Sequence, residues 1–429
     1  MKWLDYYNRR KISSAEAISH IHSNNRVVIG HACGEPSLLV EELANHADFY
    51  HNVEIVHMVA MGTCPYVRPG MEKHFRHNAL FVGAPTREAI ARGAGSYTPC
   101  FFFEIPRLFS TSLPVDVALV MITPPDENGL CSLGVSVDYT LAAIKNAKTV
   151  IAQVNSQMPY TYGQSCVSVT DIDWFVMGEQ AVIQLPPSRI GLVEEKIGKN
   201  CAELIGDGDT LQLGIGAIPD SVLTFLTDKR DLGIHSEMFS DGVMHLMKKG
   251  VITNRKKTLH AGKSVANFLM GSKELYNFVH RNPNIMMAPA DYVNDPRIIG
   301  QNDNMVSINS CVQVDLMGQV SSESIGETQI SGVGGQVDFV RGAAFSKGGR
   351  SIIAMASTAK GHLSKIVPAL PPGTPVTTSR NDVDYVVTEY GIAHLKGKTL
   401  YERAESLISI AHPDHRSKLE QSLRHSKIR

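Results

Sequence analysis

Short apolar runs recur along the chain, each closed by glycine or proline and followed by a stretch with helical spacing. Residues 27–29 read as a buried strand that ends in Gly30-His-Ala-Cys-Gly-Glu-Pro36. Residues 37–47 then place Leu38, Leu39, Leu43 and Ala44 on a helical face, with Pro36 near the first turn, where its missing N–H costs nothing. Further strands are expected at 53–59, 79–82 and 115–122, the last leading into the turn cluster Thr123-Pro-Pro-Asp-Glu-Asn-Gly129. A helix over 140–147, a strand over 149–154 and another within 169–177 complete this half. Ahead of them, Ser13 or Ser14 is suited to cap a short helix reaching to about Ile21.

Near residue 190 the pattern starts again. Residues 190–205 are helical, Asp207-Gly-Asp-Thr210 opens a strand at 211–213, and that strand ends in Gly214-Ile-Gly-Ala-Ile-Pro219 before a helix at 220–226. The order of apolar strand, glycine turn, proline and amphipathic helix repeats the first half. A short strand ending near a methionine follows in each case, at 53–61 and 232–238. Late in each half lies an Asp-x-Asp-aromatic strand, Asp171-Ile-Asp-Trp174 and Asp382-Val-Asp-Tyr385. Ordered matches of this kind point to an internal duplication. The expectation is an α/β protein of two similar open α/β domains, 1–188 and 189–429. The active site is expected in the cleft between them, since pockets favour strand ends and domain interfaces.

Composition narrows the class. A chain of 429 residues exceeds what one hydrophobic core usually serves, and 43% hydrophobic content is that of an ordinary globular protein. Forty-one Lys and Arg against 42 Asp and Glu leave a formal net charge of -1, which gives no sign of a nucleic-acid or membrane partner. Seven scattered cysteines with no Cys-x-x-Cys argue against zinc sites and disulfide frameworks. The start, Met1 to Lys11, lacks the apolar stretch of a signal peptide, and no apolar run approaches the roughly 18 residues of a membrane helix. A soluble, cytoplasmic protein is expected.

Candidate chemistry gathers at Glu237, in Leu232-Gly-Ile-His-Ser-Glu-Met-Phe-Ser-Asp-Gly242. It stands where a parallel strand would run out into its loop, the place where open α/β sheets collect ligands. Taken alone, such a glutamate is most simply a solvated loop residue. Its functional reading is a covalent nucleophile toward an acyl thioester, and the first half has no carboxylate at the matching position. Ser331-Gly-Val-Gly-Gly-Gln-Val-Asp-Phe339 offers a backbone nest for an oxyanion or phosphate, or else a loop tip. Gly214 to Pro219 is a second strand-to-helix cradle, without the third glycine of a dinucleotide fingerprint or the lysine of a P-loop. His235-Ser-Glu237 lacks the Pro-Cys-x-x-Cys partner of zinc deaminases, the 17 histidines include no His-Glu-x-x-His, and no Gly-x-Ser-x-Gly elbow supports a serine hydrolase, so no metal is expected. Cys100-Phe-Phe-Phe103 and Met61 read as core more readily than as pocket lining.

Together, Leu211-Gln-Leu-Gly-Ile-Gly-Ala-Ile-Pro219, Gly233-Ile-His-Ser-Glu-Met238 and Gly332-Val-Gly-Gly-Gln-Val-Asp-Phe339 resemble the acetyl-CoA hydrolase/transferase family. Asp382-Val-Asp-Tyr-Val-Val-Thr-Glu-Tyr-Gly391 extends the likeness over essentially the whole chain. Within the family the chain looks like the 4-hydroxybutyrate and butyrate CoA-transferases of class I, the glutamate-dependent kind. The resemblance implies that Glu237 forms a glutamyl-CoA thioester. It implies that Gly214, Ile215, Gly216, Ala217 and Ile218 hold CoA, with Gly334 and Gly335 at the second glycine loop. Gly335 would supply an oxyanion N–H, the Asn309 amide would assist it, and Lys360 would touch CoA. It also implies acyl-CoA and a short-chain carboxylate (acetate, butyrate or 4-hydroxybutyrate) as substrates, no permanently bound cofactor, and a homodimer or larger homo-oligomer.

Such chemistry exchanges one difficult transfer for several easier ones through an acyl-glutamyl anhydride and a glutamyl-CoA thioester, with ping-pong kinetics. Two other readings stay open on the sequence. One is acyl-CoA hydrolysis on the same scaffold, and the other is a non-catalytic acyl-CoA-binding module in which Glu237 is idle.

Overall fold

A computed structural model describes residues 2–427. The chain forms two compact units, Met1–Pro186 with Val265–Val293, and Pro187–Ser264 with Asn294–Arg429. The return of 265–293 to the first unit is a feature that a single boundary at 188/189 does not contain. It is built by pairing: Ile285–Met287 lies parallel to Tyr162–Gly163, and the Ala290 N–H donates to the Asp138 carbonyl at 3.1 Å.

The first unit is organised on seven parallel strands: β1 (Arg26–Ile29), β2 (Val53–His57), β3 (Phe75–Ala79), β4 (Gly95–Tyr97), β5 (Val117–Ile122), β6 (Thr149–Val154) and β7 (Trp174–Met177). Their spatial order is β7-β6-β5-β1-β2-β3-β4. In β2 and β5 every residue is buried, as expected of parallel strands covered on both faces. Helix α1 (Ser37–Asn45) follows β1 and buries Leu39, Val40, Leu43 and Ala44. Ser13 is the N-cap of a helix at Ser14–Ile18 and accepts the Glu16 N–H at 3.1 Å. The strand expected at 79–82 lies earlier, at 75–79, where Arg76, His77 and Asn78 interrupt the apolar pattern. Of Cys100 to Phe103 only Phe102 is fully buried, so that run is partly core.

The second unit carries β8 (Thr210–Leu213), β9 (Gly233–Ile234), β10 (Met305–Ser310), β11 (Arg350–Ala354), β12 (Tyr385–Thr388) and β13 (Gly391–His394), in the order β9-β8-β10-β11-β12-β13. All neighbours are parallel except the closing hairpin β12–β13. Helix α2 (Leu192–Glu203) precedes β8, and α3 (Ala217–Thr224) follows it. Helix α3 begins three residues before the expected start at Asp220, with Pro219 inside its first turn. The first four N–H groups of a helix have no internal partner, so a proline there removes nothing.

The duplication is visible in strand order. In the first unit β7-β6-β5-β1-β2 are consecutive neighbours, and β12-β11-β10-β8-β9 repeat that order in the second. Strands β3, β4 and β13 are additions at the edges. The repeated Asp-x-Asp-aromatic motif also does the same work twice. Asp173 accepts the N–H of Val150 at 2.9 Å, and Asp384 accepts that of Ser351 at 3.4 Å. Each aspartate precedes its strand and ties down an amide at the start of the neighbouring one.

Each unit has its own core, around Val27, Ile29, Leu119 and Ile151 in the first and around Val314, Ile353, Val386 and Leu407 in the second. Among the described residues no helix is long and apolar enough to cross a membrane. Ile308 is fully buried in the central strand β10. Ile308→Ala is expected to lower stability by about 2–5 kcal/mol, seen as a fall in the denaturant midpoint.

Candidate active site

Four parallel strands, β9, β8, β10 and β11, end on the same edge of the second sheet. The segment that leaves β9 is Ile234-His-Ser-Glu237, and it is held residue by residue. The His235 N–H donates to the Leu211 carbonyl at 3.1 Å. The Ser236 hydroxyl donates to the Leu213 carbonyl at 3.2 Å and accepts the Leu213 N–H at 3.4 Å. The buried His235 ring meets the edge of Phe339, with centroids 6.3 Å apart, and its Nδ1 lies 3.3 Å from Asn302 Nδ2. Glu237 follows, half-buried.

The glycine loop 332–335 brings a helix end to that carboxylate. Gly334 is in the left-handed region at φ 53°, and Gly335 is the N-cap of α4 (Gln336–Phe345). The approach at Gly335 is so close that a β-carbon there would land on Glu237 Oε2 and on Asn294 Nδ2. Only glycine leaves room for the carboxylate at this point. The amino end of α4, where backbone N–H groups carry partial positive charge, therefore abuts a negative side chain.

A second group meets the same oxygen. Asn294 Nδ2 donates to Glu237 Oε2 at 2.9 Å and lies 3.3 Å from Asp338 Oδ2. Asn294 and Asp338 are both fully buried. One amide thus bridges two carboxylates. Asp338 stands three positions after Gly335, one helical turn along α4, and so shares its face. Neither Asn294 nor Asp338 stood out in the sequence. Asp295, next in the chain, is the N-cap of the short helix that follows.

The other expected site residues are placed as follows. Asn309 lies at the end of β10, where its amide exchanges two hydrogen bonds with Gln212, at 3.1 and 3.3 Å. Asn309 is therefore paired with Gln212, and Asn294 supplies an amide to Glu237. Gly214 and Gly216 face open space, with no heavy atom within 4 Å of where a β-carbon would stand, and Gly216 has φ 106°. Ile215 is 48% exposed, and Ala217 and Ile218 are half-buried in the first turn of α3. Asp220 in the same turn has its pKa raised by burial, against the lowering effect of hydrogen bonds from Ser188. Lys360 is exposed at the turn of the hairpin Thr358–Ala359 and Leu363–Ser364, with φ 50°. Of the expected residues, Glu237 and Gly335 are brought into contact, joined there by Asn294. Among the described residues no cluster of three or more His, Cys, Asp or Glu side chains has a metal-binding arrangement.

A carboxylate so placed suits attack on an electrophilic carbonyl. It has a side-chain amide and a helix terminus against it, and both would stabilise an oxyanion developing there. Gly335→Ala tests the geometry. The atoms in its way are side-chain ends, so the variant is expected to fold, but to push Glu237 off Asn294. A crystal structure of the variant checks this.

Comparison with known proteins gives consistent relatives. Family models for the acetyl-CoA hydrolase/transferase N-terminal and C-terminal domains match residues 2–186 and 271–423. The 4-hydroxybutyrate coenzyme A transferase of Clostridium kluyveri is 60% identical over 421 residues, 98% of each chain. The crystal structure of 4-hydroxybutyrate CoA-transferase from Porphyromonas gingivalis is similar with TM-score 0.86 and 44% identity over 99% of each chain. That of RipA from Yersinia pestis is similar with TM-score 0.95 and 37% identity, again over 99% of each chain.

Proposed function

The chain belongs to the acetyl-CoA hydrolase/transferase family and is an enzyme that transfers CoA, and from that premise we propose that it moves CoA from an acyl-CoA to a short-chain carboxylate through Glu237. The acids proposed are 4-hydroxybutyrate, butyrate and acetate, after the names of relatives. The observation that carries the reading is the half-buried carboxylate at the strand ends, packed against Gly335 and hydrogen-bonded to Asn294.

The cycle balances without any proton change. The Glu237 carboxylate adds to the acyl-CoA carbonyl, and the tetrahedral oxyanion collapses to expel CoA thiolate, leaving an acyl-glutamyl anhydride. The thiolate then adds to the glutamyl carbonyl and expels the first acid as its carboxylate, leaving glutamyl-CoA. An incoming carboxylate repeats these steps in reverse, and Glu237 is regenerated. No resident cofactor is called for. Throughout, the glutamyl oxygen that meets Asn294 is the one on which charge develops when the glutamyl carbonyl is attacked. We assign Asn294 Nδ2 and the amino end of α4 at Gly335 as its donors. Asn309 is kept as a lining residue at the end of β10. The open turn Gly214 to Ile218 and the hairpin carrying Lys360 are proposed contacts for the CoA moiety, with Gly334 shaping the loop that presents Gly335.

Glu237→Ala is expected to lower turnover at least about 10³-fold, and Asn294→Ala about 10²–10³-fold in kcat. Steady-state assays with butyryl-CoA and acetate measure both. Labelled acetate appearing in CoA ester supports transfer, whereas release of free thiol alone indicates hydrolysis. Borohydride treatment of enzyme mixed with acyl-CoA should mark Glu237 in peptide mass spectra. A mark on another residue, or full turnover in Glu237→Ala, overturns the mechanism.

A further inference from the structure

Strand β9, which leads to Glu237, lies at the edge of its sheet. Its outer side is closed by side chains from the loop that follows the helix Asp241–Lys248. The Ile234 N–H donates to Asn254 Oδ1 at 2.9 Å, and the Ile234 carbonyl accepts Lys257 Nζ at 2.7 Å. Lys257 makes a second hydrogen bond, to the Lys263 carbonyl, at 2.7 Å, and so also fastens the return of its own loop. Asn254 holds the loop from the other end, accepting the Gly262 N–H on its carbonyl at 2.8 Å. The aliphatic stem of Lys257 crosses Gly233, where a β-carbon would stand 2.8 Å from Cδ.

A buried ammonium is an expensive clamp. Lys257 is only 5% exposed, and both its acceptors are neutral carbonyl oxygens. Desolvation pushes its pKa down to about 7. The titratable groups around it do not relieve that cost. His260 and Lys263 lie on its own loop, and burial followed by Lys257 and Lys263 lowers the His260 pKa. His235 follows on the strand, and at the base of the loop Asp231 is already paired with Arg255 at 3.0 Å. Two neutral hydrogen bonds could be made more cheaply by an uncharged side chain.

We propose that Lys257 is a positioning residue for Glu237, its ammonium fixing the Ile234 carbonyl and so the direction in which residues 235–237 leave the sheet. The inference rests on Glu237 being the nucleophile. Charge-assisted hydrogen bonds are roughly twice as strong as neutral ones, so loss of the proton weakens the clamp while leaving it in place. Turnover therefore falls as pH rises through the amine's titration.

The test uses the full-length enzyme and two variants, Lys257→Met and Lys257→Arg. Turnover is measured from about pH 6 to about pH 9 and divided by the number of sites that form a borohydride-trapped thioester on Glu237. Lys257→Met is expected to lower kcat per trapped site by about 10–100-fold, with KM for acyl-CoA changed by no more than about twofold. Wild type should show a falling limb above about pH 7 that Lys257→Arg lacks, and the arginine variant should keep more activity than the methionine one. Wild-type kcat per trapped site in Lys257→Met, or the same limb in Lys257→Arg, overturns the proposal. Should Lys257→Met fail to fold, the limb in wild type against Lys257→Arg decides alone. A wild-type thioester on a residue other than Glu237 overturns the nucleophile instead, which separates the two failures.

Discussion

The candidate site depends on one close approach, a carboxylate set directly against a backbone that has no side chain. Glu237 reaches the amino end of a helix only because Gly335 leaves the space empty. The helix terminus and the Asn294 amide then offer fixed dipoles to the oxygen they meet. Donors already aimed at an oxygen need no rearrangement when charge develops on it, and that is the preorganisation the proposed chemistry calls for.

That approach is supported from several directions at once. Ser236 and His235 tie the segment to β8, Asn302 meets the His235 ring, and Asp338 stands behind Asn294. Every one of these side chains is buried. Their burial matters because a carboxylate held through flexible, solvated contacts would sample many directions. The supports come from β9, from the 294–302 stretch and from α4, so distant parts of the sequence must fold together before the site exists.

Much of the architecture could be read from the chain. The strand at 149–154 was legible to the residue, and the doubled strand, glycine turn and helix pattern reappears as a repeated strand order. The Asp-x-Asp motif was visible as a repeat, but its reason lies in strand-edge amides at Val150 and Ser351, which only pairing reveals. Glu237 drew notice as an acid at a strand exit and Gly335 as part of a glycine run, the family resemblance linked them, and the structure sets them in contact. Asn294 drew no notice, since a single amide beside Asp295 and Pro296 carries no pattern and meets Glu237 across 57 residues of sequence. The segment 265–293 was assigned to the second domain because sequence order gives no hint that a chain has crossed back. For Asn309 the family resemblance suggested a role, and the structure adds that its amide is hydrogen-bonded to Gln212.

The closure of β9 by Asn254 and Lys257 has a bearing on how the protein coexists with its own copies. An uncovered outer strand offers a row of peptide groups to which another chain can add. Here the ladder is two residues long, and both backbone groups of Ile234 are already occupied. The strand leading to Glu237 thereby leaves neither peptide group of Ile234 open to strand addition by a neighbouring copy.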